Sequence, residues 1–187
     1  MAGPRLLVAL LASVAALAVA GCGNKEEEYT FGSTEGVYVT VDQLKYQVQI
    51  SRILNPADIE DQGYLRGISE GVAPNADEVW FAVFMRVEND GDATHSAADQ
   101  FEIRDTQGNV FKPLNLDPKF NLFAYKPRVV TPGTLIPAVN SPAFNTSIRG
   151  ALLLFKVKTD SLYNRPLELH IANSREGQGE AVIDLDV

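Results

Sequence analysis

The sequence predicts an all-β chain, an antiparallel β-sandwich with one long Pro-rich connection. Three observations predict it. Apolar and polar residues alternate with period two in several short segments, no window sustains a 3.6-residue period, and two segments are apolar on both faces.

Taken in order, Val37 to Val41 reads as a strand leading into the next. Leu44, Tyr46, Val48 and Ile50 then alternate with Lys45, Gln47, Gln49 and Ser51, the pattern of a half-buried strand. Residues 55–76 are a long polar loop. In residues 78–89, Val79, Phe81, Val83, Met85 and Val87 share one face, while Trp80, Ala82 and Phe84 share the other before it turns polar at Arg86 and Glu88. A strand with two apolar faces lies inside a sheet, so this one is central.

Phe101 to Ile103 and Val110 to Phe111 flank the turn residues Asp105 to Asn109, as in a hairpin. Residues 113–148 carry six of the ten prolines, at 113, 118, 127, 132, 137 and 142, together with many large apolar side chains. Proline excludes a central strand there. The segment is therefore expected to wrap the outer face of the sheet that holds Trp80, Phe84 and the next strand, Gly150 to Val157, itself apolar on both faces. Leu167 to Ile171 alternates again. The last strand turns Ala181, Ile183, Leu185 and Val187 inward.

Charge and cysteine content narrow the function. Residues 1–21 hold 16 apolar residues and one charge, Arg5, so the remainder carries 15 cationic against 24 acidic side chains, a net charge of −9. An acidic surface repels a phosphate backbone, and nucleic acid is excluded as a partner. One cysteine makes neither a disulfide framework nor a four-cysteine zinc site. About 150 ordered residues bury one core without such staples, so a single domain over 37–187 is expected.

Met1 to Arg5, an apolar run from Leu6 to Val19, and small residues at Ala20 and Gly21 have the layout of an export signal, too short for a membrane span. Gly23 to Gly36, with Glu26, Glu27 and Glu28, cannot bury enough apolar surface to order itself. Residues 22–36 read as an acidic tether, with a root-mean-square span of about 20 Å and a limit near 46 Å.

Two resemblances add to this reading. Val19-Ala20-Gly21-Cys22 resembles the lipobox of bacterial lipoproteins and uses the only cysteine of the chain. The resemblance implies cleavage before Cys22, a diacylglyceryl group on its thiol, and a membrane as the first partner. Trp80 to Gly91, with Asp99 to Asp105 and Gly108 to Phe111, resembles a family of secreted bacterial immunoglobulin-like domains similar to the immunoprotective extracellular antigen fold. That likeness implies an immunoglobulin-like sandwich on an exported or lipid-anchored protein. It supplies no catalytic residues.

The candidate chemistry is sparse. Gly67-Ile68-Ser69-Glu70-Gly71 fits the nucleophile elbow of hydrolases, but that elbow must follow a strand and open a helix, and Pro74 stops any helix here. His95 and His170 with one internal methionine make no copper or zinc cluster. Asn89-Asp90-Gly91-Asp92 lacks the rest of a calcium loop and reads as a tight turn. No cofactor is expected. The sharper question concerns Trp80 and Phe84, which need a cover. Either the Pro-rich segment supplies it, or they join the 55–76 loop residues Tyr64, Leu65 and Arg66 as the candidate interaction surface. The function expected is a lipid-anchored, extracytoplasmic, non-catalytic interaction module of the bacterial envelope, with another envelope protein as a second partner. The alternatives are a carrier of a small apolar ligand between the sheets and a hydrolase acting through Ser69.

Overall fold

In the computed structural model, which describes residues 29–186 apart from 176 and 178, the alternating segments become strands of two facing sheets. In chain order the strands are β1 (Phe31–Gly32), β2 (Tyr38–Val41), β3 (Leu44–Leu54), β4 (Glu78–Glu88), β5 (His95–Ser96), β6 (Gln100–Arg104), β7 (Val110–Phe111), β8 (Val129–Val130), β9 (Leu135–Ile136), β10 (Ala151–Lys158), β11 (Leu167–Ala172) and β12 (Glu180–Leu185). One short helix, α1 (Ile59–Tyr64), follows β3, and a 3₁₀ turn (Thr159–Tyr163) follows β10.

The first sheet has the order β1-β12-β11-β6-β7 and the second the order β10-β4-β3-β2, with β9 added on β4. The all-β sandwich is as the sequence predicts, and β4 is internal, between β10 and β3. Between the sheets lie Leu44, Tyr46, Val48, Phe81, Val83, Met85, Phe155, Ile103, Leu169 and Ile183, all buried. Burying each such side chain stabilises the fold by about 1.5–3 kcal/mol. These are the inward residues that period two identifies.

Three features depart from the sequence reading. The first is a bulge in β3 between Val48 and Ile50, where an extra residue reverses the alternation. Ile50 pairs with Phe84 on the outer face and not with the core, Ser51 turns inward, and Arg52 and Leu54 join Ala82 and Trp80 on the outer face. The second is α1, inside the expected loop. Asp58 caps it through Oδ1, which accepts from the backbone N–H of Glu60 at 2.8 Å, and Glu60 and Asp61 lie in the favourable first turn. Six residues are too few for periodicity to announce a helix.

The third concerns the N-terminal boundary. The tether drawn over 22–36 is corrected from Tyr29 onward, because residues 29–36 close the open edge of the sandwich. β1 pairs in parallel with β12, the one parallel strand pair beside the antiparallel ladders. The Thr40 N–H donates to Tyr29 O at 2.7 Å and the Val182 N–H to Thr30 O at 2.9 Å, so the segment bridges both sheets. Gly32 is buried because a side chain there would meet Val39 and Ile183. Glu35 then accepts from the Ser51 backbone and hydroxyl and from the Asp186 N–H. The export signal, Cys22, the tether residues up to 28 and Val187 lie outside the described residues.

Candidate interaction surface

The apolar half of the outer face of the β4 sheet forms a second core. Trp80, Ala82 and Phe84 of β4, Leu54 of β3 and Leu152 and Leu154 of β10 are covered by Tyr64 and Leu116, with Leu65, Ile68, Leu114, Phe123 and Ile148 packed against them. The cover ends where β4 turns polar: Arg86 pairs with Glu88, and Lys45 pairs with Asp90. The Pro-rich segment and the 55–76 connection together supply the cover, and the surface proposed from Tyr64, Leu65, Arg66, Trp80 and Phe84 is corrected. Trp80 is 7% and Phe84 1% exposed, Tyr64 is buried and Leu65 half-buried; of the five, Arg66 alone is exposed. Large aromatic side chains on a second strand face are stabilised far more by cover than by exposure.

Two side chains hold the cover in place. Asp61, buried on α1, accepts from both guanidinium nitrogens of Arg52, one at 3.1 Å, and from the Asn55 N–H at 2.7 Å. Burial alone raises the Asp61 pKa, but these hydrogen bonds and the Arg52 charge outweigh it and hold the carboxyl below its usual range. The bulge in β3 is what brings Arg52 to this face. Tyr64, one turn on from Asp61, stands edge-on between Phe84 and Phe123 with 4.9 Å between centroids in each pair.

Asn121, fully buried in the Pro-rich segment, stitches the two long connections together. Its Nδ2 donates to Tyr64 O at 2.8 Å and to Arg66 O at 2.9 Å, while its Oδ1 accepts from the Phe123 N–H at 3.0 Å. The Asp117 N–H adds a bond to Gly67 O at 3.0 Å. Gly67 has φ +74° and a Cβ there would lie 2.8 Å from Asp117 O, so this crossing needs glycine. Around the stitch stand three apolar side chains the second core does not take up: Ile59 (85% exposed), Phe120 (66%) and Leu122 (58%), beside Arg66 and Lys119. Sequence reasoning missed all of these but Arg66. An asparagine amid prolines carries no local sign that it bonds 57 residues away.

The other candidates find structural places. Ser69 is exposed in a loop that follows a helical turn and leads into another turn, without the strand and helix an elbow requires. His170 on β11 lies between Glu168 (3.2 Å) and Glu180 (3.3 Å), and His95 pairs with Val130 in the β5–β8 ribbon. Buried Asn89 donates to Ala93 O and Val130 O and accepts from the Gly91 N–H, a turn held by its own side chain. Among the described residues, no three His, Cys, Asp or Glu side chains converge as metal ligands. The space between the sheets, where the carrier reading places its ligand, is filled by core side chains. A half-open groove of about 250 Å³ lies along the β10 edge, lined by Phe101, Leu114, Tyr125, Leu152 and two prolines.

The class defined by these observations is a two-sheet β-sandwich with a third layer wrapped on one sheet. No family model matches the chain, and no curated protein matches it. Several solved structures resemble its course. The yjhA protein of Bacillus subtilis is 9% identical, with 82% of this chain and 99% of that one covered at a TM-score of 0.49. An uncharacterized β-sandwich protein of Clostridium difficile is 11% identical, with 87% and 98% covered at 0.45. A candidate lipoprotein of B. subtilis, ycdA, is 14% identical, with 84% of this chain but 39% of that one covered at 0.42. At these identities and scores the likeness extends to no residue or activity. The resemblance to the immunoprotective-antigen domains has no family match behind it, and what the chain shows is the coarser β-sandwich.

Proposed function

We propose that this chain is a lipid-anchored, extracytoplasmic interaction module of the bacterial envelope that does no chemistry of its own. Acyl chains on Cys22 hold it to the membrane, and the stitched loops around Ile59, Arg66, Phe120 and Leu122 meet a partner protein. One observation carries the reading. Two connections that fold as a hydrogen-bonded layer leave three large apolar side chains exposed, two of them flanking the buried Asn121, and exposed apolar side chains on fixed backbone suit protein contacts. The direction of the chain supports it. β1 enters beside the β11–β12 hairpin, whereas the loop carrying Ile59 leaves the opposite end of β3, past the Leu54–Trp80 pair.

Photo-crosslinking in cells tests both parts. A photoreactive residue at Leu122 is expected to give one discrete protein adduct that Phe120→Ser abolishes, and the same residue at exposed Val110 of β7 to give none. Equal yields at the two positions refute the surface. Cys22→Ala is expected to remove a fatty-acid label and release the protein from the membrane fraction; an unlabelled wild type refutes the anchor.

A further inference from the structure

The chain between the lipid-bearing residue and the first described one is short. Cys22 to Glu28 is seven residues, and at full extension they reach about 24 Å. The sequence alone allows twice that reach, because it places the domain boundary at 37. With residues 29–36 built into the sandwich edge, Tyr29 stays within about 24 Å of the anchored residue, close enough for its end of the domain to touch the headgroups. Two aromatic side chains are exposed there, Tyr29 at 60% and Phe31 at 56%, while Gly32, which follows them, is buried. The strand alternation turns Gly32 inward and Phe31 out beside Val182, so more than half of the Phe31 side chain stays exposed.

We propose that Tyr29 and Phe31 are the footing of the domain on the membrane, seated among the lipid headgroups beside the anchor. This rests on the acylation of Cys22 in the reading above. The partner is the bilayer surface itself. Aromatic rings favour the membrane–water interface, where an apolar body and a polar tip are both satisfied. The tether makes their insertion intramolecular, so an affinity too weak to recruit a free protein suffices to seat a tethered one. The charges nearby set the lipid preference. Lys25 offsets one of Glu26, Glu27 and Glu28 and leaves the tether at −2, and with exposed Glu180 at the start of β12 the net charge repels anionic headgroups, so the footing belongs on zwitterionic lipid. Seating this end also fixes orientation, with the 3₁₀ turn at Thr159–Tyr163 and the start of the 55–76 loop at the far pole.

The test uses the full lipidated chain in vesicles, made either of phosphatidylcholine or of phosphatidylcholine with phosphatidylglycerol. Phe31→p-benzoylphenylalanine is expected to crosslink to lipid about tenfold more than Tyr163→p-benzoylphenylalanine at the far pole, as confinement near the surface demands. The yield should fall on the anionic vesicles. With the probe at Tyr29 instead, Phe31→Asp should lower the lipid adduct several-fold while the unfolding midpoint stays put, because the ring is half in water. Equal lipid yields at 31 and 163 in a chain that carries its acyl label overturn the footing and leave the anchor standing. A protein adduct at 31 gives the surface to another occupant and also overturns it. A chain without acyl label that washes off the vesicles removes the anchor and the footing together.

Discussion

Asn121→Ala should loosen the third layer more than any other single truncation of a polar side chain in the long connections. The magnitude follows from the bonds lost. Alanine removes two bonds donated by Nδ2 and one accepted by Oδ1, each worth about 1 kcal/mol net, so the expected loss is about 3 kcal/mol. Burial of the site leaves the Tyr64 carbonyl without its donor, which pushes the figure up, and water reaching Arg66 O at the exposed rim pulls it down. For a domain of this size the midpoint should fall by roughly 6–12 °C. The chain has a single tryptophan, Trp80, and it lies beneath this layer, so its emission reports the cover directly. In urea the variant should show the tryptophan transition before the far-ultraviolet circular dichroism transition of the strands. Coincident transitions with a loss below about 0.5 kcal/mol would refute the stitching, because a bond set that matters cannot cost so little. Asn121→Asp places a carboxylate before two carbonyls and should cost more than alanine.

Four further outcomes are expected. The β2–β3 hairpin turns through Asp42 (φ 46°) and Gln43 (φ 65°), both left-handed, so Gln43→Gly should stabilise by about 1 kcal/mol in thermal unfolding; no gain would show that the turn is not strained. Gly150 packs so closely that a Cβ would fall 2.7 Å from Phe84 Cβ, and Gly150→Ala should cost about 1–3 kcal/mol, read by urea midpoint, unless β10 shifts freely. Asp184 is held above the usual carboxylate range, first by burial and then by Glu168 and Asp186, and Glu168 is its direct cross-strand partner. A raised carboxyl costs stability while it is charged, above its folded pKa, and the cost vanishes as pH falls below the unfolded value near 4. Asp184→Asn should thus stabilise at neutral pH by on the order of 0.5 kcal/mol and by nothing at pH 3. Asp105 has the opposite sign: hydrogen bonds from Asn109, Gln107 and Asn164 overcome burial and hold it far below the usual range, so its contribution is present above pH 4 and lost in acid. Asp105→Asn should flatten the acid limb of the stability curve.

The legible part of the fold was the part governed by period two. β3 as far as Val48, β11 and β12 carry their alternation openly, and the double-faced segments at 80–85 and 151–155 marked the internal strand and the covered face. The turn at Asp105 was legible for a similar reason, since its carboxylate bonds the N–H groups of residues two and four positions on. What stayed hidden was set by long-range contacts. The β3 bulge inverts Ile50 without any glycine or proline to signal it. Residues 29–36 look like linker because their order comes from bonds to Thr40, Ser51, Val182 and Asp186, and composition does not encode partners. The candidate surface failed for the converse reason. Trp80 and Phe84 were rightly read as needing a cover, but their large apolar area is what draws the cover down, so they could not also be the exposed site.

The two outer faces of the sandwich show which residues the fold leaves unexplained. The β6–β11–β12 face needs no cover: Glu102, Glu168, His170, Glu180 and Asp184 keep it polar, with Arg104 and Lys112 paired to Glu102. The opposite face is apolar only over its first half, and the 55–76 connection together with the segment 113–148 covers that half. The same segment shields the β10 edge, where the Leu114 and Tyr125 N–H groups donate to Leu154 O and Leu152 O and the Leu152 N–H to Phe123 O. Such capping blocks the addition of a foreign strand. Cover and edge protection account for Leu114, Leu116, Phe123 and Tyr125. They do not account for Phe120 and Leu122, which alternate with buried Asn121 and stand outward because the stitch turns inward. A fold that needed the cover alone would be served as well by polar residues at 120 and 122. Phe120 and Leu122 are the residues that the proposed partner contact would use, and Phe120→Ser with Leu122→Ser should remove that contact at a stability cost within about 0.5 kcal/mol.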